Sequence, residues 1–229
     1  MAFFKIDTSE ENVKDYTGDG GKWLNKSSIY DIIVKAVIVD TTAKGSEYLN
    51  LWVEYEGQLQ PLYQAMRLTN NDGSINFGQK LFTKFCIVAG GESGGEINDP
   101  VSRMIPMGKG GEEIECMVLE DFDDVPVTIR LQMEYSMYEG RVQQSKVIRN
   151  FFRFEDKATA AEIVNGTDVG KQFEEEQGYA DNVTYKDGLT EEDVAEWLKS
   201  LKSGAKKEDT NKKPSAGFGG QKRSFGKKE

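Results

Sequence analysis

Two adjoining stretches in the second half of the chain constrain its fold more than anything else in it. From Val125 to Met137 every second residue is apolar: Val125, Val127, Ile129, Leu131, Met133, Tyr135 and Met137. Thr128, Arg130, Gln132 and Glu134 alternate with them. After the turn signal Tyr138-Glu139-Gly140-Arg141 a second alternation begins. Val142, Gln144, Lys146, Ile148, Asn150, Phe152 and Phe154 take one side; Arg141, Gln143, Ser145, Val147, Arg149, Phe151 and Arg153 take the other. A period of two marks a strand with one face on a core, so these runs predict a long β-hairpin. A lone hairpin is marginal in water, so further strands must join it.

They are found upstream. Ile29 to Thr42 is dense in β-branched residues and too long for an ordinary strand, which predicts a long, bulged one. Ala43-Lys44-Gly45-Ser46 is a turn signal. Tyr48 to Tyr55 then sets Leu49, Leu51, Val53 and Tyr55 against Tyr48, Asn50, Trp52 and Glu54. Glu56-Gly57 turns the chain into Leu59 to Thr69. An amphipathic helix follows over Phe77 to Ala89, with Leu81, Phe85 and Val88 on one stripe and Gly90-Gly91 ending it. Glu92 to Gly111 reads as a long glycine-rich loop with little internal structure, and Glu113 to Leu119 as a short extra strand. Three strands, a helix and a further hairpin make the element order of an OB-fold. The expected fold is mainly β: an OB-like five-stranded barrel with one internal helix, then a C-terminal helical extension and a disordered basic tail. The boundaries expected are an N-terminal arm at 1–21, the OB-like domain at 22–156, an acidic helical extension at 157–203 and the tail at 204–229.

Charge divides the chain. The full sequence carries −10, yet Lys202 to Glu229 holds nine Lys/Arg against three Asp/Glu, so the rest carries −16. In the tail only Phe218 and Phe225 offer sizeable apolar surface, too little for a core. Between tail and body, Val194, Trp197, Leu198 and Leu201 predict a helix that starts at Thr190 and stops at Gly204.

The chain contains no histidine, which removes Ser-His-Asp and Cys-His catalysis and imidazole metal sites. Cys86 and Cys116, both in apolar runs, read as free thiols of a reducing cytoplasm. No apolar run reaches the ~18–20 residues of a membrane span, and the N-terminus shows no signal-peptide pattern. Gly166-Thr167-Asp168-Val169-Gly170-Lys171-Gln172 fails as a P-loop, being one residue short between its glycines and ending in Gln where Ser or Thr binds magnesium. The acidic run Glu120-Asp121-Phe122-Asp123-Asp124 is a candidate cation site for a metal-dependent nuclease, but adjacent carboxylates on a loop more often form a solvated turn. The expectation is a non-enzymatic protein with no cofactor.

Binding of single-stranded nucleic acid needs aromatic faces for bases and cations along the phosphates. Tyr48 and Trp52 share one face of the second strand, and Tyr63 and Arg67 one face of the third. Arg149, Phe151 and Arg153 form a stripe on the last strand, with Arg130 opposite. The expected stacking residues are Tyr48, Trp52, Tyr63 and Phe151; the expected phosphate contacts are Arg67, Arg130, Lys146, Arg149 and Arg153, with Lys222 and Arg223 from the tail.

Phe3-Phe4-Lys5-Ile6-Asp7, Tyr30-Asp31-Ile32-Ile33-Val34-Lys35-Ala36, Thr41 to Leu51 and the helix end Val88-Ala89-Gly90-Gly91 resemble a group of bacteriophage single-stranded-DNA-binding proteins encoded among replication and recombination genes. The resemblance covers about a third of the chain. It implies an OB-like fold, protection of exposed DNA in the host cytoplasm, and partners among phage replication, recombination or transcription proteins. One variant of that role brings a phage RNA polymerase to opened promoters. Many such proteins end in an acidic tail that recruits partners, whereas this chain ends in a basic one. The rival reading from another class is an assembly module that uses the Trp197 helix and the tail, without nucleic acid. A homo-oligomer is compatible with either.

Overall fold

The computed structural model describes residues 23–91, 95–107 and 111–202. The tail with Lys222 and Arg223, the whole N-terminal arm and parts of the glycine-rich loop lie outside the described residues. The chain divides into two compact units, one ending at Thr190 and one beginning at Glu191. The second contributes one described element, the helix Glu191–Lys202, over the span that the Trp197 stripe predicts.

The first unit is built on strands β1 (Ser28–Thr41), β2 (Glu47–Tyr55), β3 (Gln58–Arg67), β4 (Val101–Ile105), β5 (Ile114–Leu119), β6 (Val125–Tyr138), β7 (Arg141–Arg153) and β8 (Thr184–Tyr185). Helix α1 spans Phe77–Val88, with Asn76 capping its N-terminus. Short helices α2 (Ala160–Asn165) and α3 (Lys171–Gln177) follow the last long strand. β1 is the spine. Its first half pairs with β6, its second half with β5, and its other edge with β2. A bulge between Val34 and Ala36 turns its side chains over, so Ile32, Val34 and Val37 are buried on one side of it and Ala36 and Ile38 on the other.

The main core gathers Leu49, Leu51, Val53, Val127, Ile129 and Leu131, closed by α1. Phe85 of the helix lies 5.0 Å, centroid to centroid, from both Phe122 and Phe151. The helix start sits directly on the end of β3: a Cβ on Gly78 would come within 2.1 Å of the Arg67 carbonyl oxygen, so only glycine fits there.

The loop expected at 92–111 contains a strand. β4 pairs with β5 along its whole length, and this hairpin covers the far side of the β1–β2 sheet. Ile105 and Val118 pack there with Ala36, Ile38 and Trp52 in a second, smaller core. Arg103 pins the hairpin by pairing with Asp123 and donating to the Lys35 carbonyl.

The expected five-stranded barrel is an open eight-stranded sheet. Among the described residues β3 pairs only with β2 and β7 only with β6, so no ladder there joins the two edges. The chemistry of β3 explains part of this: Pro61 has no N–H to give, and the strand bulges just beyond it. α2 and α3 are tied together by Glu162. Its carboxylate completes a capping box with Thr159 and accepts from the Gln172 N–H at 2.9 Å. Burial pushes this carboxyl upward in pKa, but the N–H donors of Gln172, Thr159 and Gly170 outweigh it and hold the group below its ordinary value.

Candidate nucleic-acid interface

The bulge on β3 is the most unusual local structure near a candidate residue. Leu49 pairs with Met66 and Leu51 with Leu62, so Tyr63, Gln64 and Ala65 oppose the single residue Asn50. Gln64 takes a left-handed conformation, φ 48°, which a side-chain-bearing residue adopts at a cost of about 1 kcal/mol or more. The buried Asn50 side chain holds it there, accepting from the Gln64 N–H at 2.7 Å. The consequence is that Tyr63 stands out of the sheet, 60% exposed.

Tyr63 and Gln64 belong to two clefts at once. One, of about 570 Å³, runs between β3 and β7 and is lined by Trp23, Pro61, Gln144 and Lys146 among others. The other, of about 580 Å³, runs toward the β4–β5 hairpin and is lined by Tyr48, Asp40, Met107, Cys116 and Met117 among others. Together they make a track across the bulged strand with exposed aromatic rings along it. Trp23 is 49% exposed. Tyr48 donates its hydroxyl to Asp40 at 2.9 Å, and burial, with that carboxylate adding to it, raises its phenol pKa.

The cations sort sharply. Arg130 is mostly buried, paired with Glu176 at 2.5 Å and set over the Tyr179 ring. Arg149 bonds Gln132 at 2.5 Å and pairs with Glu134. Arg153 pairs with Asp156 at 2.5 Å. These three expected phosphate contacts are occupied by carboxylates. Among the described residues Arg67 bonds neutral groups, Ser46 Oγ at 2.8 Å, Asn71 Oδ1 at 3.0 Å and the Thr69 carbonyl at 3.2 Å. It stands opposite Tyr48 in the ladder. Lys146 makes no ion pair among the described residues, and burial lowers its pKa. Its position follows from the register: it pairs with Met133, on the core-facing side of β7, at the open seam of the sheet.

Two expected stacking residues are corrected. Phase along β7 is broken by a bulge at Arg149, since Arg130 pairs with Asn150 but Leu131 with Ile148. The bulge turns Phe151 inward against Phe85, 0% exposed, and dissolves the Arg149–Phe151–Arg153 stripe. Trp52 is 8% exposed because the unforeseen β4–β5 hairpin covers it. Neither ring offers a face to a base. Trp23 was missed because it stands alone beyond a glycine-rich stretch, outside any periodic pattern. Gln64 has no sequence signal at all, although a polar Asn50 between Leu49 and Leu51 hints at an irregular ladder.

The acidic run at 120–124 is spent on the fold. Asp121 accepts from the Asn98 backbone and side chain at 2.9 and 2.7 Å, Asp123 pairs with Arg103, and Asp124 with Lys35. No cluster of three potential metal-ligating side chains occurs among the described residues. A third cleft, about 670 Å³, lies beside α1 along Phe82, Cys86, Ile87, Ile97 and Phe122. Its rim holds Lys80 against Glu96 and Asp121, so it lacks a basic track. No helix among the described residues is long and apolar enough to cross a membrane. No protein-family model matches the chain, and no curated protein matches it.

Proposed function

We propose that this protein binds single-stranded DNA with little sequence preference, in the track that crosses β3, within an OB-like fold whose barrel is left open at the β3–β7 seam. The observation that carries the reading is Tyr63: an aromatic ring lifted out of a sheet by a strained bulge, set between two clefts, with Trp23 and Lys146 lining one of them. Bulges recur where a side chain must be re-aimed for function, and exposed rings beside an unpaired cation are what stacked bases and their phosphates need. The element order, three strands, a helix and a hairpin, supports the OB-like assignment, and the β2–β3 face is where such folds bind oligonucleotides. Asp40 and Glu115 line the far cleft. The phosphates therefore run on the Lys146 side, and the bases turn toward Tyr63, Tyr48 and the methionines. The biological role is cover for strands exposed in phage DNA replication or recombination.

The test is a titration of a fluorescent oligo-dT, with duplex of equal length as control, into the full-length chain at two salt concentrations. The expected result is preference for oligo-dT and an affinity that falls steeply with salt, because phosphate contacts release counterions. Equal binding of duplex, or no binding of either, removes the proposal.

A further inference from the structure

The two most exposed large apolar side chains among the described residues lie close together in the chain: Phe77, 71% exposed, and Ile75, 68%. Neither is spent on the core. Ile75 precedes the helix cap Asn76, where an apolar residue commonly packs on the fourth helical residue, but that residue is Lys80. Phe77 opens α1 ahead of its buried positions Gly78, Leu81, Phe85 and Val88.

The loop that presents this pair is tightly bonded. The Asn70 N–H donates to the Ser74 carbonyl and the Asn76 N–H to the Leu68 carbonyl, both at 2.8 Å, and the Asn76 amide donates to Asn70 Oδ1 at 2.6 Å. Asp72 turns into the loop. It accepts from the Ser74 hydroxyl at 2.6 Å and the Ser74 N–H at 2.9 Å, and these bonds hold its carboxyl below the usual range. The same loop is fastened to the Tyr48 end of the track. Glu47, next to Tyr48, donates its N–H to Thr69 Oγ1 at 2.9 Å. Arg67, opposite Tyr48, donates to the Thr69 carbonyl and to Asn71, and Gly78 lies on its backbone. Tyr63 is four residues back along β3, at most about 13 Å of strand.

Charge sets this stretch apart. Residues 57–91 hold three bases, Arg67, Lys80 and Lys84, against one acid, Asp72, for +2. Residues 1–201 together carry −16, so the remainder of them carries −18. Lys80 and Lys84 follow Phe77 at i+3 and i+7, on one flank of α1, and both are exposed. Lys80 also edges the third cleft, whose Asp121 is engaged by Asn98.

A ligand for this patch must bring apolar faces and negative charge together, and continuity with the track favours the ligand already read there. We propose that single-stranded DNA leaving the Tyr48 end of the track runs on over the start of α1, with a base stacked on Phe77 beside Ile75 and phosphates at Arg67, Lys80 and Lys84. This extension rests on the functional reading above.

The experiment measures anisotropy of labelled oligo-dT of about 4 and about 16 nucleotides, the range of one OB-type site. It uses the full-length chain, its Phe77→Ala variant and its Lys80→Gln/Lys84→Gln variant. The three substituted side chains are exposed, so the fold is kept, which urea denaturation verifies. Phe77→Ala is expected to bind the long oligonucleotide about 5- to 150-fold more weakly, the worth of one stacked base, and the short one with parental affinity. The double lysine variant lowers the salt slope for the long oligonucleotide by about 1.4, two single-strand phosphate contacts. Parental affinity of Phe77→Ala for both lengths overturns the proposal and leaves the patch to an acidic protein segment. Equal weakening at both lengths also overturns it, since the ring then acts on the Tyr63 track itself. Binding of neither length by the parent chain refutes the DNA reading, and the extension with it.

Discussion

Replacing Tyr63 by alanine separates the functional reading from a structural one. The ring is 60% exposed and sits on a bulge held by the backbone of Gln64 and the side chain of Asn50, not by the tyrosine itself. Its loss therefore leaves stability within about 0.5 kcal/mol, the usual range for a surface site. One stacked base contributes about 1–3 kcal/mol, so oligo-dT affinity falls about 5- to 150-fold. Tyr63→Phe keeps the ring face and keeps most of the affinity. Trp52→Ala is the counterpart. It empties the centre of the small core under the β4–β5 hairpin and costs about 3–5 kcal/mol, a large part of a domain's stability. The assay pairs urea denaturation with anisotropy of labelled oligo-dT. Tyr63→Ala binding with parental affinity, or Trp52→Ala folding with parental stability while losing the oligonucleotide, refutes the reasoning.

Three further outcomes follow from the same geometry. Lys146→Met stabilises the fold at neutral pH: burial depresses the folded pKa, so the protonated lysine opposes folding in full below that lowered value, and the penalty fades only as pH rises from it through the ordinary lysine value. The same change weakens oligo-dT binding and lowers the salt slope by about 0.7, one single-strand phosphate contact, which anisotropy across a salt series measures. Arg130→Ala leaves Glu176 buried without its cation and destabilises by about 3 kcal/mol in thermal melts, with oligo-dT affinity of the folded protein unchanged. The Glu162 carboxylate, held below its ordinary pKa, contributes stability that is fully present above the unfolded glutamate pKa and is lost as pH falls through the lower folded one. Glu162→Gln removes that acid dependence, read from melts between neutral and acidic pH.

The long elements were legible because a half-buried strand repeats its pattern over many residues. β6 and β7 cover nearly the spans that the alternation marks, and α1 ends one residue before the expected Ala89. What failed to show was phase. One extra residue at Arg149 exchanges the faces of β7, and no composition marks it, so Phe151 and its flanking arginines read as one stripe when they are three separate environments. β4 was hidden because Ser102 and Arg103 break its apolar run, and its strand character comes from pairing with β5 and from the Arg103–Asp123 contact. With β4 unseen, the burial of Trp52 was unseen too. The arginines misled for a related reason: Glu176 lies 46 residues from Arg130 along the chain, and an ion pair of that span has no sequence signature. Tyr63 could be picked as a candidate from its β3 position beside Arg67, but its exposure depends on the conformation of Gln64, which the sequence leaves unmarked.

Photocrosslinking tests the central claim most directly. An oligonucleotide carrying 5-iodouracil, bound to the full-length protein and irradiated, joins covalently to the aromatic ring stacked on the modified base, and mass spectrometry of the digest locates it. The account predicts crosslinks at Tyr63, with Trp23 or Tyr48 next, and suppression by excess unlabelled oligo-dT. Crosslinks confined to Phe218 and Phe225 of the basic tail, or none at all, would contradict it.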